Sequence, residues 1–362
     1  MWCTYPHFFL LLCCEYTQKN EQINFEIKTT PQIAYRGAFA LKDFNAGDEI
    51  AAVPATSLIA LENNDGFPSE HAYALAVRMA TNLKFTGEFS PYFLTLPHPN
   101  ETLTSETFTD ELVAGLQSPE LELLINRERG VMAAVYLGRY TRSDGFTYER
   151  LSKAMVEEDA FPLPLFAHLT SLVSSREFSF HNPDGTKASD RLAPGIDMIN
   201  NNPYRENCQQ FDDGHYLYIR ATTPIQAGDE LFLPYLPGLE HRNDMSLSAY
   251  GFVRQSHNQT RPLLPATDLV TYDRQDPYKT TPASDVGVFY GKGGSHNTEK
   301  ELERLQSLLR KANTTLEEDE LELGAGSFAD WKEEMVVKFR VERKKAVHLA
   351  MRAIKNELGI VD

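Results

Sequence analysis

The sequence predicts an α+β protein in which small β-sheets enclose an inserted helical subdomain and an all-α region follows. Residues 24–60 and 186–255 break into short apolar runs separated by turn residues. Residues 69–175 carry apolar positions at helical spacing, and the C-terminal region ends in long amphipathic stretches.

In the first β segment, INFEIKTT, GAFALKDF, NAGDEIAAVP and TSLIAL read as successive pieces of a meander, with Gly47 and Asp48 at a turn. SEHAYALAVRMATNL then changes to helical spacing, with Ser69 suited to the N-cap and Glu70 to the first turn. SPELELLINRERGVMAAVYLGRY continues that pattern, and strands return in HYLYIRATTPI and DELFLPY. The stretch from TRPLLPATD to GKGGSHN is rich in Pro, Gly, Ser and Thr, a loop composition. TEKELERLQSLLRKAN places Leu302, Leu305, Leu308 and Leu309 on one helical face, and residues 329–357 read as a long charged helix. Together these patterns predict a leader over 1–23, a first domain over 24–260 with a helical insert at about 65–185, and a helical domain over 261–362.

The chain has 362 residues, 42% hydrophobic and 24% charged, so it is long enough for a sizeable core and has the balance of an ordinary globular protein. Its formal charge of −16 excludes broad electrostatic capture of nucleic acid or anionic lipid, which needs clustered Lys and Arg, and favours a basic or neutral protein partner. Three of the 4 cysteines, Cys3, Cys13 and Cys14, crowd the N-terminus, a spacing that builds neither a disulfide framework nor a zinc site. Reduced thiols, no metal, no membrane span and a monomer are expected. FFLLLCC near the start resembles a short signal-peptide core but lacks a basic flank, so a cytoplasmic protein is expected, with nucleus and plastid as the alternatives and secretion not expected. The Asn-x-Thr triplets at Asn100, Asn258 and Asn313 carry weight only behind a working signal peptide.

Several motifs in order then carry a resemblance. YRGAFALKDFNAGDEI, GIDMINNNP and IQAGDELFLPYLPGLEHRNDMSLSAYGFV resemble the successive signatures of SET-domain protein methyltransferases. Within that family the chain is most similar to the class of the Rubisco large-subunit lysine methyltransferase and the actin-histidine methyltransferase. FSPYFLTLP resembles the class's S-x-x-x-Y-x-x-x-LP segment, SLVSSREFSF its Ser-Arg segment, TTLEEDELEL its acidic stretch and FRVERKKAVHLAMRAI the long helix after it.

The resemblance implies a SET domain, small β-sheets around a pseudoknot-like core, followed by a helical domain that helps hold a protein substrate. It also implies S-adenosyl-L-methionine as cofactor. Methyl transfer from that molecule is an in-line displacement, so a neutral nucleophile and the sulfonium methyl must come within roughly 3 to 3.5 Å. By the resemblance, Tyr235 is the active-site tyrosine, and Arg176, Tyr235 and Tyr250 line the substrate channel. Ala34, Tyr35, Arg36 and Gly37, read as a tight turn, lend backbone groups to the cofactor's amino-acid moiety. Arg176, Asp197, Asn200, Asn201, Tyr250, Gly251 and Phe252 complete the implied cofactor set, glycine being useful where backbone approaches a ligand closely.

Two departures qualify that pattern. DMINN puts Asn201 where the family's D-x-x-N-H motif has histidine, and YLPGLEHRND, with Leu236 in place of a common glycine, lengthens the loop between Tyr235 and Asn243. Methylation of the lysine ε-amine is the implied activity, with protein-histidine N-methylation and a non-catalytic binding module as the alternatives. The acidic run Glu317, Glu318, Asp319 and Glu320 is expected to be solvated at a helix start, where negative charge suits the dipole.

Overall fold

The computed structural model describes residues 22–29, 36–59, 92, 95–97, 104–137, 139, 162–185, 187–202, 205–235, 243–253, 270–272, 280–282 and 298–360. Chain order runs β1 (Gln22–Ile23), β2 (Phe25–Thr29), β3 (Arg36–Ala40), β4 (Glu49–Pro54), α1 (Asp110–Gly115), α2 (Pro119–Tyr136) and α3 (Leu163–Ser174). It continues through β5 (Glu177–His181), β6 (Lys187–Leu192), β7 (Cys208–Asp212), β8 (Tyr216–Ala221), α4 (Asn243–Tyr250), β9 (Val270–Tyr272) and β10 (Thr280–Pro282). Three helices close it: α5 (Thr298–Lys311), α6 (Leu316–Ala325) and α7 (Trp331–Glu357). The chain divides into two compact units, residues 1–102 with 135–240 and residues 103–134 with 241–362.

In the first unit β1, β4, β8 and β7 form a sheet in that order, and β2 with β3 and β5 with β6 form two-stranded sheets. β8 alternates, with Leu217, Ile219 and Ala221 buried and Tyr216 and Arg220 turned out, so one face of the strand is core and the other is wet. Its partner β4 buries Ile50, Ala51, Ala52 and Val53 in a row, as a strand covered on both faces does. Pairing sets Ala51 opposite Ile219 and Val53 opposite Leu217. Around them Phe25, Phe44, Phe180, Ile196, Leu231 and Leu233 complete one apolar core, and Tyr235 packs on its edge.

In the second unit α1, α2 and α7 contribute Val113, Leu116, Leu121, Ile125, Val336 and Phe339 to one cluster, joined by Phe108 and by Leu247 of α4. Leu302 and Leu305 of α5 pack against Val347 and Ile354 of α7, with Leu308 and Leu309 half-buried beside them, so the expected leucine face is the buried one. Gln117 donates to Thr314 Oγ1 across 2.9 Å although 197 positions separate them in the chain. Helix α6 opens on a capping box, Thr315 with Glu318, and α7 opens on Asp330, whose carboxylate accepts from the Lys332 and Glu333 amides.

Several expectations change. Strands resume at Glu177, ahead of residue 186, because Phe178 and Phe180 already alternate against β6. TSLIAL gives a 3-10 turn at Ala55–Ser57 and a single bridge from Ile59 to Leu192, and DELFLPY gives bridges at Glu230 and Phe232 where continuous strands were expected. Residues 261–297 hold a short antiparallel pair, β9 with β10, inside the expected loop. Asp319 is fully buried, contrary to the solvated acidic run, because α7 supplies compensating cations: Lys344 Nζ lies at 2.5 Å and Arg340 Nη2 at 3.0 Å. Burial pushes the Lys344 ammonium below the ordinary lysine pKa, against the pull of Asp319. The helix expected around Ser69 and Glu70, the loop around Leu236, Asn100 and Asn258 lie outside the described residues. No helix among the described residues is long and apolar enough to cross a membrane.

Candidate active site

The site is built where a glycine lets the chain reverse. Gly195, at φ 86°, enters the 3-10 turn Ile196–Met198 in a conformation that side chains disfavour, and its amide donates to Asp197 Oδ1 across 3.0 Å. Asp197 thereby points its other oxygen inward. Oδ2 accepts from the Tyr92 hydroxyl at 2.7 Å and from Arg176 Nη1 at 3.2 Å, and the same Nη1 reaches the Asp197 carbonyl at 2.9 Å. The carboxylate is wholly buried and the arginine 17% exposed, so the pair is shielded from solvent screening. Burial works against the Arg176 charge, yet Asp197, with the Tyr92 and Tyr235 phenols in electrostatic range, outweighs it and raises the guanidinium pKa further. Arg176 is a cation under all accessible conditions. Its Nε is buried and has no hydrogen-bond partner among the described residues.

Beyond the turn the chain bridges in parallel from Asn200 to Phe232. The Asn200 carbonyl accepts from the Leu233 amide at 2.9 Å, and Asn201 Nδ2 donates to the Leu233 carbonyl at 2.7 Å. Asn201 thus holds the segment that runs into Tyr235 through its amide donor. The Tyr235 hydroxyl donates to the Ile199 carbonyl at 2.7 Å, which fixes the phenol over the same turn. Asn200 Nδ2 donates to the Arg36 carbonyl at 2.7 Å and to Glu230 Oε1 at 3.0 Å. Arg36 Nη1 in turn donates to the Thr95 carbonyl at 2.5 Å.

Arg36 and Gly37 lie at the start of strand β3, paired with Thr29 and Lys28, not in the expected turn; Ala34 and Tyr35 lie outside the described residues. The first unit therefore brings together Arg36, Gly37, Arg176, Asp197, Asn200, Asn201 and Tyr235. Tyr250, Gly251 and Phe252 belong to the second unit. There Tyr250 ends α4, its ring centroid 6.1 Å from that of Phe252, and the Gly251 amide donates to the Leu247 carbonyl.

A family model for the SET domain matches residues 35–236. The chain belongs to the SET-domain family. The matched SET residues hold the whole network just described, from Arg36 to Tyr235. The fold is also that of solved SET structures. The SET domain of LSMT bound to lysine and AdoHcy aligns with TM-score 0.67 at 16% identity, covering 99% of this chain and 92% of that one. Rubisco LSMT bound to AdoMet aligns with TM-score 0.67 at 16% identity, over 98% and 92%. Rubisco LSMT bound to sinefungin and monomethyllysine gives 0.64 at 16% identity, over 97% and 92%. No curated protein matches the chain.

Two SET residues, Tyr92 and Glu230, escaped the sequence reading although both stood in quoted motifs. Tyr92 lies in FSPYFLTLP, and its contact with Asp197 is 105 positions distant, beyond any local pattern. Glu230 lies in DELFLPY, which reads only as a strand, and its 8% exposure is what singles it out. Chemically, the SET network brings a fixed phenol and a permanent cation onto the turn that leads into an asparagine amide.

Proposed function

We propose that the protein is an S-adenosyl-L-methionine-dependent protein methyltransferase acting on the lysine ε-amine. One observation carries the reading: the Tyr235 phenol is held by the Ile199 carbonyl, one residue before Asn200 and two after Asp197, which holds Arg176, so phenol and cation converge on the short turn that carries the amide. Membership of the SET-domain family supports it. The solved neighbours bound to lysine, AdoHcy and AdoMet support the choice of nucleophile and cofactor.

The described residues fit that cofactor. The orphaned Arg176 Nε is a buried donor whose pairing a ligand acceptor would restore, and no described residue donates to Asn200 Oδ1. Arg176, Asn200 and the backbone of Arg36 and Gly37 would hold it. When bound, it supplies the electrophilic methyl group.

The chain's own part is orientation. Because the Tyr235 hydroxyl directs its hydrogen to the Ile199 carbonyl, its oxygen would meet a substrate N–H as an acceptor and aim the nitrogen lone pair. The Asp197–Arg176–Tyr92 network fixes the turn that carries this acceptor. A lysine amine attacks only when neutral, so transfer should accelerate as pH rises toward about 10.4.

The test is incubation of the purified chain with methyl-labelled cofactor in a lysate of its source. The expected result is label in protein, recovered as methyl-lysine on amino-acid analysis and lost in Tyr235→Phe. Label recovered as methyl-histidine moves the substrate to the imidazole. Full activity of Tyr235→Phe refutes the site, and no label together with no cofactor binding leaves a binding module.

A further inference from the structure

The side chain of Glu230 lies inside the site but has no place in the mechanism above. Its backbone is fixed on both sides, since Ala40 donates to the Asp229 carbonyl at 2.9 Å and Leu231 donates to the Ala38 carbonyl at 2.8 Å. The residue is only 8% exposed. From that position Oε1 accepts from Asn200 Nδ2 at 3.0 Å. It also fills the space that a side chain at residue 37 would need: a Cβ there would lie 2.3 Å from Glu230 Oε1. Gly37 is therefore what allows the carboxylate to reach Asn200.

The consequence concerns which way the Asn200 amide faces. Its nitrogen meets two oxygens, the Arg36 carbonyl and Glu230 Oε1, and both are acceptors. Reversing the amide would set oxygen against oxygen at both contacts, so the orientation is determined by the network. Both amide hydrogens are consumed, and Oδ1 is left to accept. We propose that Glu230 is a positioning residue that holds Asn200 Oδ1 outward as an acceptor for the ammonium of the cofactor's amino-acid end. This rests on the cofactor reading given above.

The full-length protein and its variants are titrated calorimetrically with two probes. S-adenosylhomocysteine carries the amino-acid end, and 5′-methylthioadenosine has the same adenosine and thioether without it. Glu230→Ala frees the Asn200 amide to turn, so it should weaken S-adenosylhomocysteine about tenfold and leave 5′-methylthioadenosine unchanged. Glu230→Gln, which keeps an acceptor oxygen toward Asn200 Nδ2, should restore the parent's affinity. A merely structural residue would not separate the two probes. Equal weakening of both probes, equal loss in the Ala and Gln variants, or no loss in either overturns the inference and leaves the cofactor reading standing. Failure of the parent protein to bind either probe overturns that reading too.

Discussion

Tyr92 and Arg176 share one oxygen: the tyrosine hydroxyl at 2.7 Å and the guanidinium at 3.2 Å both converge on Asp197 Oδ2. A neutral donor and a permanent cation are thereby locked to the turn that presents Ile199 to Tyr235. The two donors should not be equivalent. Asp197→Ala leaves a buried cation without its counter-charge and should cost about 3–5 kcal/mol. Tyr92→Phe leaves the ion pair intact and should cost about 1 kcal/mol. Urea unfolding of the two variants measures the difference, and equal losses would contradict the shared-oxygen arrangement.

Asn201 stands where the family motif has histidine, and its amide donates to the Leu233 carbonyl. Asn201→Ala removes the donor and should cost about 1 kcal/mol, a melting shift of about 2–4 °C. Asn201→His exchanges one N–H donor for another and should melt with the parent. A histidine variant as unstable as the alanine one would show that the contact needs the amide.

Gly37 and Glu230 compete for one volume. Gly37→Ala should cost about 1–3 kcal/mol through overpacking. In a Glu230→Ala background the new methyl finds the vacated space, so the double variant should fall short of the summed losses by about 1 kcal/mol or more. Additive losses in a chemical-denaturation cycle would place the clash elsewhere.

Cys208 is buried, and burial pushes its thiol pKa up to about 12. A raised folded value means the stabilisation is complete below the unfolded pKa of about 8.5 and disappears as pH climbs toward the folded one. Between pH 8 and 10 the parent should therefore lose about 2 kcal/mol relative to Cys208→Ala. Iodoacetamide at pH 8 should spare Cys208 until the protein unfolds, read by peptide mass mapping; rapid native labelling would show an accessible thiolate.

What could be read in the sequence was whatever repeats locally. Leu217, Ile219 and Ala221 advertised β8 by alternation, and Leu302 and Leu305 advertised α5 by helical spacing. Tyr235 and Asn200 were singled out because the motifs around them keep their order along the chain. Long-range pairings were silent. Asp319 looked like one more solvated acid until Lys344 and Arg340 stood beside it. Glu230 looked like one polar position of the strand DELFLPY, with nothing to show that Gly37 makes room for it. Arg36 and Gly37 read as a turn because glycine signals one, whereas here it answers to a side chain from another segment.

The contact between Gln117 and Thr314 has a further bearing on how the molecule is made. On a ribosome, residues 103–134 emerge long before α5, α6 and α7, so Phe108, Leu116 and Ile125 have no cover while the intervening chain is synthesised. Nascent chains paused before α7 should be the ones that chaperones retain and that aggregate when chaperones are scarce. Truncation within α7 should likewise damage a segment encoded far upstream, giving insoluble product instead of a shortened, active enzyme.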